Sequence, residues 1–268
     1  MFAEEYKGIN SFLIGASNLL CKYGVKRETR DNICYELPEP FFFKITEPTA
    51  RIVTIPCRKW SKTLPYAESL WIASGRNDLD YITYYLKRMQ DFSDDQVFAR
   101  GAYGPRLRHF NGSKTDYKVT ETVDASIVEI DQLRYIVECF NAETSTRRAI
   151  ISMGDVMKDD FDTEGCLKKT LDIPCTRELN FIKQPNSNKL DVIVKMRSND
   201  IIWGASAVNI FNYTFMQING IFILQDLFYH DNSEIYYADE KDVCWAENLG
   251  RGMQGEEVSG MIYPNPQM

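Results

Sequence analysis

The residues able to do chemistry gather in one stretch, from Leu171 to Gln217. Cys175 follows a proline at the end of an apolar run and is a candidate nucleophile. A strand-like run, Leu190 to Met196, then delivers Arg197, Ser198, Asn199 and Asp200. The planar fork of Arg197 suits an oxyanion. A loop of small residues, Gly204 to Ala207, leads to Asn209, whose amide can read the edge of a planar ring. A lone Pro-Cys is weak by itself, because a free cysteine is more often an inert buried residue.

Three other places add candidates. Glu68 lies on the apolar face of a helical pattern, between Ala67 and Leu70, an expensive position for a carboxylate. Its bland reading is a surface charge near a helix end. Gly101-Ala102-Tyr103-Gly104 puts a tyrosine at a turn, where packing alone would explain it. Arg147 and Arg148 stand directly before the apolar run Ala149 to Met153, and a surface dibasic pair is the plain alternative. Arg27 and Arg30 sit in a charged segment whose simplest reading is a solvated turn.

The whole chain bounds what these residues can do. At 268 residues it can bury a sizeable core, and 44% hydrophobic with 26% charged residues is ordinary for a soluble globular protein. A net charge of -7 argues against a general nucleic-acid binder. No apolar run is long enough to span a bilayer and the N-terminus lacks a basic signal start, which predicts a cytoplasmic protein. The seven cysteines are widely spaced without a CxxC pair, so neither a zinc site nor a disulfide framework is expected. With His109 and His230 the only histidines, a histidine metal site or Ser/His triad is disfavoured. Chemistry falls to Cys, carboxylates, Tyr or water.

Elements must position these groups. Periodicity predicts a helix over residues 1–24 capped by Gly24, then strand-like segments broken by Pro38 and Pro40. A helix carrying Glu68 should stop at Ser74-Gly75. Residues 91–110 read as a loop, 124–139 as a helix, 149–153 as a strand, and the acidic stretch 155–164 as a solvated loop without chemistry. Asn186-Ser187-Asn188 predicts a hairpin turn.

Taken in order, Pro174-Cys175, Arg197-Ser198-Asn199-Asp200 and a glycine-containing loop ending in Asn209 resemble the thymidylate synthase superfamily, which includes pyrimidine nucleotide hydroxymethylases. Glu68-x-x-Trp71-x-x-x-Gly75 resembles its glutamate helix, and Gly101 to Gly104 its Gly-x-Tyr-Gly turn. The resemblance implies a single α+β domain over residues 1–268. Its mixed, twisted sheet would carry helices on one face and offer the other for homodimer formation. It implies that Cys175 adds to C6 of a pyrimidine nucleoside monophosphate, with 5,10-methylenetetrahydrofolate as the one-carbon cosubstrate and no metal. Glu68 would organise water and proton transfers, and Tyr103 would assist loss of the C5 proton. Substrate binding would fall to Arg30 (favoured over Arg27 by its spacing to Glu36), Arg197, Ser198, Asn209 and either Tyr236 or Tyr237. Arg147 and Arg148 would reach the phosphate of the other subunit. Asp200 and Trp71 would contact the folate.

Departures from the family pattern decide among activities. Thr176 replaces the usual histidine, Asp91 to Asp95 occupies the place of tryptophans on the folate wall, and the tail lacks the apolar lid. All three loosen the water exclusion that hydride transfer needs, which favours a nucleotide 5-hydroxymethylase over a thymidylate synthase. The intact Cys175, Glu68, Tyr103 and Arg197 argue against a catalytically silent nucleotide binder. Asn209 suits uracil, whereas cytosine's amino group wants an acceptor such as a carboxylate. The loop is one residue longer than in synthases, however, which leaves Val208 and Asn209 both open for that position.

Overall fold

The first element is a strand, where the apolar spacing predicts a helix. Phe2 and Tyr6, four residues apart, fit both periods, and pairing decides between them. The computed structural model describes residues 1–29, 32–110, 130–187 and 189–215. In it β1 (Phe2–Tyr6) runs parallel to β4 (Phe41–Ile45), with Phe2 opposite Phe41 and Tyr6 opposite Ile45. Helix α1 (Ile9–Tyr23) begins after Gly8, whose backbone N–H bonds the Ser11 hydroxyl at 3.1 Å. It ends at Gly24, as expected. Hairpin β2 (Val25–Thr29) and β3 (Asn32–Glu36) follows, so Arg27 lies on a strand and pairs with Glu36 at 3.1 Å.

The glutamate helix is α2 (Leu64–Ala73), and Gly75 ends it with φ of 75°. A side chain is strained at that angle, and here a Cβ would also meet the His109 ring at 2.9 Å. After α3 (Leu79–Tyr85) comes a 3₁₀ turn, Lys87–Phe92. Tyr103 opens a short helix, α4 (Tyr103–Arg108), within the expected loop. Gly104 is required there, since a Cβ would lie 2.3 Å from the Arg76 carbonyl oxygen. Helix α5 (Gln132–Ala142) is capped by Asp131, whose carboxylate accepts from the backbone of Leu133 and Arg134. Residues 124–129 of the expected helix lie outside the described residues.

Among the described residues the strands form three small sheets rather than the expected single mixed one: β1–β4, β2–β3, and an antiparallel sheet of order β5 (Ile150–Ser152), β6 (Thr176–Lys183), β7 (Leu190–Met196). The α+β class stands. On the third sheet the two-residue side-chain period separates the faces. Ile151, Leu179, Phe181 and Leu190 face inward with Trp71, Ile72, Leu107 and Phe140 of the helices. Ile150, Ile182 and Ile193 remain 36%, 41% and 54% exposed on the outer face. A second core joins Tyr6, Ile9, Phe12 and Leu13 to Ala205 and Ile210, so the N-terminal layer seats the segment that carries Asn209.

The acidic stretch corrects the expectation of a solvated loop. Val156–Asp160 forms a π turn, and Asp159 is 0% exposed. Arg106 grips it with bonds of 2.8 and 2.6 Å, while Arg100 and Arg177 stand 3.7 and 3.6 Å away. A buried carboxylate is tolerable only with such partners, and they come from distant segments without any local spacing signal.

Candidate active site

Strands β6 and β7 bring Cys175 and Arg197 together as neighbours across the sheet end. The Arg197 backbone N–H donates to the Cys175 carbonyl at 2.8 Å. Its guanidinium donates to the carbonyls of Pro174 at 3.2 Å and Ile173 at 2.8 Å. The fork therefore pins the approach to the half-buried cysteine, and still has donors left for an anion. Arg197 and Ser198 are exposed beside it.

Thr176 is 0% exposed, which overturns the idea that it faces water on the folate side. Its hydroxyl shares a hydrogen bond with the Tyr213 hydroxyl, and its backbone N–H donates to the Tyr103 hydroxyl at 3.3 Å. Helix α4 thus aims Tyr103 at the Cys175–Thr176 peptide. Burial above all raises the Tyr103 phenol beyond its usual 10; hydrogen bonding with Thr176 opposes this, and the charges of Cys175 and Glu68 reinforce it. Tyr103 thus lies within electrostatic reach of both Cys175 and Glu68. Tyr213 is pushed higher still by burial, so both phenols stay protonated at neutral pH.

Glu68 keeps some solvent contact along its side chain, but burial raises its carboxyl to about 7. Asn212 works in the opposite direction, donating Nδ2–H to Glu68 Oε1 at 3.1 Å, while its own Oδ1 accepts from Ser69 at 2.7 Å. A carboxyl near neutrality exists in both forms during turnover, as a proton shuttle requires. Replacing Asn212 by leucine removes the one hydrogen bond that favours the charged form. The Glu68-dependent limb of the kcat/KM profile is expected to move to higher pH, and a limb that stays put would remove Asn212 from this role.

The longer loop after Asp200 winds as a π turn, Ile201–Asn209, and continues as α-helix over residues 210–215. Such turns absorb an extra residue without breaking the helix. Val208 is buried, 8% exposed, whereas Asn209 is half-exposed and donates Nδ2–H to Asn199 Oδ1 at 3.0 Å. Of the two open positions, it is Asn209 that presents a polar edge. Asp200 caps the turn, its Oδ1 accepting from Ile202 at 2.7 Å and Trp203 at 2.5 Å.

The remaining predicted residues are dispersed. Trp71 is 3% exposed, and its indole N–H donates to the Asp78 carbonyl at 3.1 Å. It packs the core and offers a folate no open ring face, a correction to its expected role as a cofactor contact. An aromatic face is instead presented by Trp203, 61% exposed, with the Arg88 guanidinium 5.4 Å from its ring centre. Asp94 and Asp95 are exposed and bonded to nearby chain. Asp94 ties down Thr170 and Leu171, and Asp95 accepts from the backbone of Val97 and Phe98. Arg147 and Arg148 are exposed, and Arg147 lines a 570 Å³ cleft with Asn180 and Ile182. Arg30, Tyr236 and Tyr237 lie outside the described residues. Sequence reasoning missed Asn212 and Tyr213, although the spacing of three and four from Asn209 places them on neighbouring helical positions.

A family profile described as thymidylate synthase matches residues 19–219, and the chain belongs to that family. It is similar to proteins named deoxyuridylate hydroxymethyltransferase from three phages. The Bacillus phage SP01 protein is 32% identical over 175 residues, 65% of this chain and 42% of the relative. The Pseudomonas phage M6 protein is 30% identical over 194 residues, 72% of this chain and 48% of the relative. The Delftia phage PhiW-14 protein is 29% identical over 182 residues, 65% and 44% of the two chains. This chain thus spans less than half the length of each of these relatives. Among the described residues no helix is long and apolar enough to cross a membrane, and no three His, Cys, Asp or Glu side chains group as a metal site.

Proposed function

We propose that this chain is a pyrimidine nucleotide 5-hydroxymethylase that converts dUMP to its 5-hydroxymethyl product. The observation that supports the reading is the Tyr103 hydroxyl bonded to the backbone beside Cys175 and within electrostatic reach of Glu68, with Arg197 fixing the backbone before the thiol. The phage relatives bear the name of that activity, which supports hydroxymethylation over methylation.

In this reading the Cys175 thiolate adds to C6 of uracil, and electron density moves to C5 and O4. Asn209 donates to O4 and accepts from N3–H. Free donors of the Arg197 fork, with the Ser198 hydroxyl, hold the nucleotide phosphate. Tyr103 is neutral and orients the acceptor of the C5 proton. Glu68, with its carboxyl near 7, takes a proton from the water that adds to the exocyclic carbon. Cys175 leaves C6 as thiolate, restoring the ring double bond.

Bound 5,10-methylenetetrahydrofolate supplies the one-carbon unit. The residues present fit it: Trp203 offers an aromatic face 61% exposed, and Asp200 has a second carboxylate oxygen for a ring N–H. Arg147 and Arg148 serve the phosphate of a second subunit, in a homodimer formed through the outer sheet face. The exposed Ile150, Ile182 and Ile193 beside these arginines support that arrangement.

Incubating the protein with dUMP and 5,10-methylenetetrahydrofolate tests the reading. A product heavier by one hydroxymethyl group, with tetrahydrofolate released, is expected in the mass spectrum. A methylated nucleotide with a stoichiometric rise in dihydrofolate absorbance would make the protein a thymidylate synthase.

A further inference from the structure

We propose that Asp172 is a positioning residue that holds Tyr103 at its working distance from Cys175, through the backbone N–H of Gly101. The inference rests on the reading of Cys175 as the nucleophile and Tyr103 as the group that orients the acceptor of the C5 proton. C5 and C6 are bonded neighbours, so the thiol and the phenol must address adjacent atoms of one ring. A misplacement of about 1 Å can cost about a hundredfold in such an arrangement. Regular structure does not set this spacing. Residues 171–175 belong to no helix or strand, and Tyr103 opens a helix of six residues whose N-cap, Ala102, makes no side-chain bond. Arg197 ties the backbone before the thiol to the end of β7. The tyrosine needs a tie of its own.

Two contacts supply it, one on each side of the cysteine in sequence. Before Cys175, Asp172 Oδ2 accepts the Gly101 N–H at 2.6 Å, and Gly101 stands just ahead of Tyr103. After Cys175, the Thr176 N–H donates to the Tyr103 hydroxyl at 3.3 Å. The polarity of the first contact is fixed, because a backbone N–H only donates and both oxygens of a carboxylate accept. Gly101 is buried, so without Asp172 its N–H would lose the partner a buried amide requires. The carbon side fits as closely: a Cβ at position 101 would lie 2.5 Å from Asp172 Oδ1 and 2.9 Å from its Cγ. The carboxylate therefore rests against the bare Cα of the glycine. Burial raises this carboxyl above its ordinary value, opposed by the Gly101 N–H and by Arg106 and Arg100, so the place is an expensive one for a group that merely fills space. Asp172 is also held from behind. Its backbone N–H donates to the Thr170 hydroxyl at 3.1 Å, which in turn donates to Asp94 Oδ2 at 2.5 Å, and the Leu171 N–H donates to Asp94 Oδ1 at 2.8 Å. One segment thus grips the loop before the nucleophile at Asp94 and again at Gly101.

The test follows turnover of dUMP with 5,10-methylenetetrahydrofolate, beside dUMP affinity by calorimetry. Asp172→Ala should lower kcat about tenfold to a hundredfold while dUMP affinity changes by less than about twofold. Asp172→Asn keeps an oxygen of the same reach, which the fixed Gly101 donor turns toward itself, and should stay within about threefold of the parent. Because Asp172 acts through the tyrosine, adding Asp172→Ala to Tyr103→Phe should deepen the loss by less than about twofold. Parental turnover in Asp172→Ala overturns the inference. So do losses that multiply in full in the double variant, or an Asp172→Asn protein as slow as Asp172→Ala. Should Asp172→Ala fail to fold, Asp172→Glu decides in its place. It keeps the charge but moves the acceptor out by one methylene, so its kcat should also fall about tenfold or more, and parental turnover there overturns the inference. A parent protein that makes no product from dUMP defeats the proposed function itself, and this inference with it.

Discussion

Cys175→Ser is expected to lower turnover at least about a thousandfold, about 4 kcal/mol of barrier, while dUMP binding changes by less than about twofold. The exchange leaves shape nearly untouched. Among the described residues the hydrogen bonds that fix this position run through backbone: the Arg197 N–H to the Cys175 carbonyl, and its guanidinium to the carbonyls of Pro174 and Ile173. None involves sulfur, so the binding surface survives. What disappears is the thiolate, because a serine hydroxyl ionises far less readily than a thiol and the neighbouring phenols of Tyr103 and Tyr213 are held protonated. Single-turnover assays with mass detection, beside calorimetric titration with dUMP, separate the two effects. A variant retaining a tenth of parental turnover, a difference of about 1.4 kcal/mol, would show that the thiol is not the nucleophile.

How much of this could be read in the sequence differs from element to element. Residues that act through local spacing were visible: the Glu68 helix with its Gly75 stop, and the β7 strand that delivers Arg197. So was the hairpin turn at Asn186, whose φ is 55°. Residues that act through contacts between distant segments were not. Asn212 reaches Glu68 across 144 positions, and nothing near either residue announces the pair. Asp159 looked like one more solvated acid among several, and only the arrival of Arg100, Arg106 and Arg177 explains its burial. β1 reads as helix in the sequence because five residues are too few to separate a period of two from one of 3.6, and its parallel partner β4 lies more than thirty residues away. The Val208 or Asn209 ambiguity belongs to a third kind. A one-residue insertion changes register in the alignment of sequences, and only its absorption in a π turn shows which side chain turns outward.

Glu68→Gln is expected to raise stability and lower activity at the same time. The carboxyl titrates near 4.5 when solvated and about 7 in the fold, because burial penalises its charge. Between these values the native state binds more protons than the unfolded one, so stability falls as pH rises. The penalty is absent below about 4.5, grows through the interval and is complete above about 7. Its ceiling is about 3 kcal/mol, reduced by the solvent contact the side chain retains. Glutamine keeps the shape and the acceptor for Asn212, but carries no charge to desolvate. The variant should therefore match the parent near pH 4.5 and exceed it by up to about 3 kcal/mol at pH 8, read from urea midpoints at the two pH values. Turnover should fall about 10² to 10⁴-fold over the same range, the usual loss when a positioned acid–base group is removed. A strained, desolvated carboxylate kept at the expense of stability is what a proton shuttle requires. If Glu68→Gln proves less stable than the parent at pH 8, partners rather than burial govern this carboxyl, and its assignment as the shuttle falls.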